Sequence, residues 1–470
     1  MLTYDMDQRG SNTLYAYLYS CLRADIESGE LRPGERLPSK RPFARHLGVS
    51  VITVEGAYRQ LLAEGYVESF ERRGHFVSRN LPERAPDAAR ARRPPDQRAA
   101  VPPVEEDRLS SGALFPLSSW ARITRALLSE EDERSIMAET SPLGSLRLRG
   151  AICHQLRQAR GLVVEPWQVV VGAGSQLLDA MLVQLLGRDR LFAVEDPGYP
   201  QLTALYQANG VRVAHVAVDG EGMLVDALRS SGASVAHVTP SHQFPTGVVM
   251  SVGRRYELLS WASEAPGRYV IEDDYDCEFR LSGLPVPPLS SLDAEGRVIY
   301  TNTFTKSLGP AFRIAYAVLP PELVHLWGER LGFCYGSVGA IDQLALARVI
   351  ESGSFERHVN RMRTRFRRVR DQLLEALRAS ELGPLVSVRA QDAGLHFVLR
   401  LALPSQADDA ELERRAREGG VPLRAMAGFF ACGSSRRGAP HEFIVSYSGV
   451  SPEETGRLVE VLVDVVRDLP

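Results

Sequence analysis

The first 79 residues carry apolar positions at helical spacing. Leu14, Leu18, Leu22 and Ile26 recur every fourth residue, and Gly29 stops that helix. Ser39 can cap a second helix with Phe43, Ala44 and Leu47 inward and Gly48 at its end. Ser50 can cap a third, in which Val54, Ala57, Tyr58, Leu61 and Leu62 share one face. Two short runs at 66–69 and 75–78, joined by the polar stretch 70–74, predict a hairpin. Helix, helix, Gly-Val-Ser turn, helix and hairpin make a winged helix-turn-helix.

From residue 80 to 108 the periodicity stops. Six prolines among mixed charges predict a linker with extended stretches. Beyond it, apolar runs at 169–171, 191–194, 211–218, 235–238, 269–271, 298–300 and 314–318 read as strands, with helical stretches between several of them. That alternation predicts an α/β domain with a mostly parallel sheet over 109–470, ending in a smaller α+β part. Ligands of such sheets bind at the carboxyl ends of the strands.

Composition narrows the function classes. With 44% apolar and 24% charged residues the chain is not mainly disordered, and a net charge of −3 gives no blanket attraction to nucleic acid or membrane. No apolar run approaches the roughly 18 residues of a membrane span, and the acidic N-terminus lacks a signal core. Five scattered cysteines without a CxxC pair exclude a disulfide scaffold or zinc finger and fit the cytoplasm. Residues 1–79 hold 11 basic against 10 acidic side chains, but the cations cluster. Lys40 and Arg41 open the second helix, Arg59 lies on the third, and Arg72 and Arg73 sit at the hairpin tip. A winged helix meets phosphates at such places, while the start of its third helix enters the major groove. Thr53, Glu55 and Arg59 then face the bases with Val51, and Ser39, Ser50 and His75 complete the candidate DNA contacts. The competing reading is a helical interaction domain with a solvated basic edge.

Only two of the 55 basic residues are lysines, Lys40 and Lys306. Arginine replaces lysine at most surfaces, but a guanidinium forms no Schiff base at neutral pH. Lys306 follows a predicted strand, with Thr303 and Thr305 before it and Arg313 seven residues on. Gly172, Gly174, Ser175 and Gln176 stand where another strand gives way to a helix, a start that favours a phosphate. Glu272, Asp273 and Asp274 end a third strand, and such a run of carboxylates needs a cation, a metal or a protonated base. An amine, hydroxyls, a guanidinium, a carboxylate and a phosphate-ready helix start are the requirements of pyridoxal 5′-phosphate (PLP). A divalent metal is the rival reading of the carboxylates. The arginine run from Arg357 to Arg370 reads as a solvated helix face.

Two resemblances follow. The string 29–41 (GELRPGERLPSKR), with HLGVS at 46–50 and LLAEGY at 61–66, resembles the DNA-binding domain of GntR-type regulators, although Val51 stands where many members carry arginine. Residues 110–470 resemble the fold-type I aminotransferases. That likeness implies Lys306 as the Schiff-base lysine, with Gly174, Ser175, Gln176, Thr303, Thr305 and Arg313 around the phosphate. It implies Asp273 on the pyridine nitrogen, Tyr275 on the 3′-oxygen, Tyr199 stacked on the ring, and His242 and Gln243 along its edge. Three positions depart from the aminotransferase pattern: Phe244 replaces an asparagine, Glu139 replaces a tyrosine, and residues 441–447 lack the carboxylate-binding arginine. Arg424 is the substitute candidate for an effector carboxylate.

The combined architecture resembles the MocR subfamily of bacterial regulators. It implies a homodimer, head-to-tail, that binds promoter DNA and senses PLP or a small amine or amino acid. A working aminotransferase with an appended DNA-binding module is the rival, and a scaffold that merely dimerises the DNA-reading heads is the third reading.

Overall fold

The computed structural model describes residues 2–80, 115–137, 140–281, 283, 286–392, 394–431 and 441–468. The expected linker therefore lies, from residue 81 on, outside the described residues, as does Glu139. The chain divides into two compact units, residues 1–105 and 106–470.

In the first unit α1 (Leu14–Ser28), α2 (Lys40–Leu47) and α3 (Val51–Ala63) precede a hairpin of β1 (Val67–Phe70) and β2 (Gly74–Val77). The apolar stripes meet in one core, where Leu18, Leu22, Phe43, Val54, Tyr58 and Leu61 are fully buried. Gly48 closes α2 at φ +66°, a left-handed conformation that favours glycine. Ser50 then caps α3, its Oγ accepting from the Thr53 amide at 3.1 Å. Ser39 stands at the start of α2 on extended backbone, but its hydroxyl makes no capping bond. The hairpin is tighter than the sequence pattern predicts. Phe70 pairs with Gly74 and packs on Phe76 at 5.6 Å, so the ladder extends into the expected turn and leaves Arg72 at φ +62° on its tip.

The second unit is built on an eight-stranded sheet. Its strands are β3 (Val169–Gly172), β4 (Leu191–Asp196), β5 (Arg212–Asp219), β6 (Gly222–Met223), β7 (Val235–Val238), β8 (Tyr269–Asp273), β9 (Val298–Thr303) and β10 (Ala315–Val318). The spatial order is β3-β10-β9-β8-β7-β4-β5-β6, parallel from β9 to β5, with β10 and β6 antiparallel to their neighbours. Near-continuous burial along β7 and β9 reflects helices on both faces. A four-stranded antiparallel sheet follows: β11 (Val386–Arg389), β12 (His396–Leu401), β13 (Leu423–Ala425) and β14 (Glu442–Ser446), ordered β11-β12-β14-β13. Its apolar face packs on the helices Ser354–Ala379, Asp409–Glu418 and Thr455–Arg467. Among the described residues no helix is long and apolar enough to cross a membrane.

The arginine run on helix Ser354–Ala379 is only partly solvated. Arg363 donates to the Glu278 carbonyl, Arg367 to that of Leu281 at 2.8 Å, and Arg370 to that of Gln391 at 3.0 Å. A planar guanidinium carries several donors, so these side chains fasten loop carbonyls that have no partner in a sheet.

The cap on α3 is directly measurable. Ser50→Ala should cost about 1 kcal/mol locally, and amide exchange in the first turn of α3 should accelerate roughly fivefold in the full chain.

Candidate cofactor site and nucleic-acid interface

Three neighbouring strands bring the phosphate candidates together. In the register Gly172 lies opposite Ala315, and Ala315 opposite Thr303. The turn after β3, the segment before β10 and the turn after β9 therefore share one end of the sheet. Gly174 (φ +89°) starts the helix Ser175–Leu186, and a Cβ there would lie 2.5 Å from Arg313 Nη2. The Arg313 guanidinium thus rests on the glycine, at a helix start with free amides. Thr303 Oγ1 donates to Thr305 Oγ1 at 2.8 Å and accepts from the Thr305 amide, which shapes the short helix Thr305–Leu308 that holds Lys306.

The carboxylate run at the end of β8 separates, Glu272 and Asp273 because successive strand residues face opposite sides. Glu272 accepts from the amides of Leu289 and Ser290 at 2.6 and 2.8 Å. Asp274 meets Arg160 Nη2 at 2.7 Å and accepts from the Tyr300 hydroxyl at 2.8 Å. Asp276 meets His242 Nδ1 at 2.8 Å. Asp273 alone faces a cavity, which Ser175, Gln176, Asp179, Glu195, Tyr199, His237 and Phe244 also line. No metal is needed to explain the run, and among the described residues no three such side chains are arranged to hold one.

Behind Asp273 lies a network that the sequence reading missed. His237 Nε2 is 3.9 Å from Asp273 Oδ2, and its Nδ1 shares a 2.6 Å hydrogen bond with the Tyr206 hydroxyl. Burial opposes a charged His237, but Asp273, Asp179 and Glu195 outweigh it and raise its pKa. Burial pushes the carboxyls of Asp179 and Glu195 up to about 7. The only sequence signal was one polar residue inside the apolar strand 235–238.

The loop after β7 carries His242, Gln243 and Phe244. His242 lies 3.2 Å from the Tyr275 hydroxyl and packs on His396 at 4.7 Å between ring centres. Burial first, and then the charges of His242 and Lys306, depress His396 well below the usual range. Gln243 is turned inward: its amide nitrogen donates to Glu195, Pro197 and Phe244 and its oxygen accepts from Thr246, so the side chain braces its own loop. Phe244 sits between Tyr199, Tyr275, His396 and Phe429 at 5.3–6.4 Å. Arg424, on β13, stacks over Phe429 at 5.3 Å and has Glu413 at 3.9 Å.

In the first unit Arg41, Arg59, Arg72 and Arg73 are exposed, and Arg73 lies over the Phe70 ring. Lys40 and Glu55 pair with each other at 2.9 Å, and the ammonium holds the Glu55 carboxyl below its usual range. This ties the start of α2 to α3. The Ser50 hydroxyl is 2.9 Å from that of Thr53, so both belong to the helix cap. His75 packs edge-on against Tyr58 at 5.1 Å, and burial together with the Lys40 charge lowers its pKa.

Residues 14–77 match "Bacterial regulatory proteins, gntR family", and residues 108–462 match "Aminotransferase class I and II". The chain is 36% identical to the uncharacterized HTH-type transcriptional regulator YhdI of Bacillus subtilis over 455 residues, 96% of this chain and 95% of that one. It is 32% identical to the regulatory protein MocR of Rhizobium meliloti over 472 residues, 95% and 92% of the two chains. The chain is a MocR-type regulator of the GntR family. Among solved structures, the α-aminoadipate aminotransferase LysN of Thermus thermophilus, complexed with N-(5′-phosphopyridoxyl)-L-leucine, aligns at TM-score 0.63 and 26% identity, covering 76% of this chain and 91% of that one.

The residues of this MocR-type chain fit PLP. The Gly174–Arg313 cradle leaves no room for a larger residue at the helix start, which suits a dianion. Ser175 and Gln176 at that helix start line one cavity with Tyr199, His237 and Asp273, where the buried His237 Nε2 has no hydrogen-bond partner in the protein.

The Glu195 carboxyl sets a pH dependence. Its folded-state pKa of about 7 exceeds the ordinary glutamate value, so its contribution is full at acid pH and is lost as pH rises through about 7. Between pH 5 and 7.5 the Tm of the cofactor-free chain should therefore fall about 2–4 °C further in the native protein than in Glu195→Gln, read by calorimetry.

Proposed function

We propose that this chain is a cytoplasmic, homodimeric transcriptional regulator. Residues 1–79 bind promoter DNA, and residues 109–470 hold PLP and sense PLP itself or a small amine or amino acid. The observation that carries the reading is the convergence of Lys306, the Gly174–Arg313 cradle and Asp273 at the carboxyl ends of one sheet, in a chain that also contains a winged helix.

Bound PLP supplies an aldehyde that condenses with a primary amine and a ring that withdraws electrons. Lys306 is the amine in this reading. Arg313, Thr303, Thr305, Ser175 and Gln176 receive the phosphate. Asp273, backed by His237, holds a proton at the ring nitrogen. Tyr199 covers the ring, and Tyr275, steadied by His242 and Asp276, donates to its 3′-oxygen. An effector shifts operator affinity only by preferring one conformation, and 1–3 kcal/mol of coupling, typical of allostery, corresponds to roughly 5- to 150-fold. The rival, a working aminotransferase, is favoured by the retention of every one of these groups; steady-state amino transfer to 2-oxo acids tests it.

In the first unit Arg41, Arg59, Arg72 and Arg73 reach phosphates, while Thr53 and the Lys40–Glu55 pair face the groove.

Lys306→Ala should abolish the visible absorbance of PLP-loaded protein and its response to amines while DNA binding persists. A borohydride-stable adduct on another residue would overturn the assignment. Replacing Arg41, Arg72 or Arg73 with alanine should weaken DNA binding across sequences and reduce the slope of log K against log salt by about one per lost contact. Footprints and affinities unchanged by PLP and by every amine tried would defeat the sensor role.

A further inference from the structure

The helix Leu146–Arg160 ends on a guanidinium that reaches behind the cofactor pocket. Arg160 Nη2 lies 2.7 Å from Asp274 Oδ2 and 3.1 Å from Ser241 Oγ, with side-chain exposures of 4% for Arg160 and none for Asp274. Asp274 stands between Asp273 and Tyr275, and Ser241 directly precedes His242. One cation therefore fastens, from the rear, both loops whose front faces form the pocket.

We propose that Arg160 is a positioning residue for the PLP pocket, acting through Asp274 on Asp273 and Tyr275 and through Ser241 on His242. The proposal rests on the reading of that pocket as the PLP site. The alternation after β8 supplies the mechanism. Asp274 can face the interior only if its charge is matched there, and when it does, Asp273 on one side lines the cavity and Tyr275 on the other meets His242. Glu272, Glu278, Cys277 and Tyr300 surround the same pair, and Arg255 is the second cation beside these acids. Arg160 Nε and Asp274 Oδ1 are buried with no hydrogen-bond partner, so the Asp274 carboxylate is held through Oδ2, by the Arg160 guanidinium and the Tyr300 hydroxyl.

The test uses the full chain loaded with PLP and reads PLP affinity, the visible circular dichroism of the bound cofactor, and Tm. Arg160→Met, which keeps the apolar stem and removes the charge, should weaken PLP about tenfold or more and take away much of the dichroic band. Arg160→Lys should keep part of both. Adding Asp274→Asn to Arg160→Met removes the stranded carboxylate and should restore most of the affinity and the band. A merely structural role predicts the opposite pattern: Tm falls, the band per bound PLP stays unchanged, and Asp274→Asn restores nothing. That result would overturn the proposal. If Arg160→Met does not fold, Tyr300→Phe, which deletes the hydroxyl's bond to Asp274 and its 3.4 Å contact from Asn302 Nδ2, should diminish the band in the same sense, and an unchanged band overturns the proposal equally. If the native chain shows no PLP-dependent band, the pocket reading itself fails, before any variant is made.

Discussion

Negative charge concentrated at one end of a buried sheet is the constraint around which the second unit is organised. Four carboxylates lie within five residues, 272–276, and Asp179 and Glu195 stand nearby. Each buried carboxylate must find a donor or a cation, or remain protonated. The structure answers with different partners: backbone amides for Glu272, a guanidinium and a phenol for Asp274, an imidazole for Asp276. Asp273 is left to the cavity, with His237 behind it. The same logic explains why burial leaves Asp179 and Glu195 titrating near neutrality beside His237.

The opposite pole of the pocket is built from backbone. Glycine at 174 lets the chain enter a helix at positive φ, and the vacated Cβ volume is where Arg313 lies. Arg313 itself takes a left-handed backbone, φ +34°, costly for a non-glycine residue. Strain of this kind persists where surrounding structure over-determines it, and here three strands in fixed register do so. The amide-rich helix start at Ser175 and Gln176 and the Asp273 carboxylate thus line one cavity, beside Tyr199 and Phe244.

The first unit solves a different electrostatic problem. It is nearly neutral overall, so its DNA-facing surface depends on where the cations stand. Pairing of Lys40 with Glu55 withdraws one cation from the general phosphate field and links it to an acceptor on α3. Among the described residues Arg41, Arg59, Arg72 and Arg73 are exposed and outside such pairs.

Much of this was legible in the chain itself. The four-residue recurrence in 14–26, the Gly-Val-Ser turn, the apolar strand runs and the isolation of Lys306 are local signals, and local signals survive without tertiary context. The candidate ligands Ser175, Asp273, Thr303, Lys306 and Arg313 were readable because glycine turns and polar residues at strand ends mark the functional edge of an α/β sheet. Other features were not. Gln243 looked like a pocket residue until its amide was seen to brace a loop, and His237 and Arg160 looked like ordinary buried positions until their partners appeared. Ser39 failed as a cap, and the Arg363–Arg370 face turned inward toward carbonyls more than 20 residues away in the chain. The sequence by itself determined which elements form and which chemistries are present, because periodicity and turn residues act over a few positions. Only the tertiary structure decided which charge meets which, because a buried ion pair depends on distances between segments far apart in the chain and on the water excluded from between them.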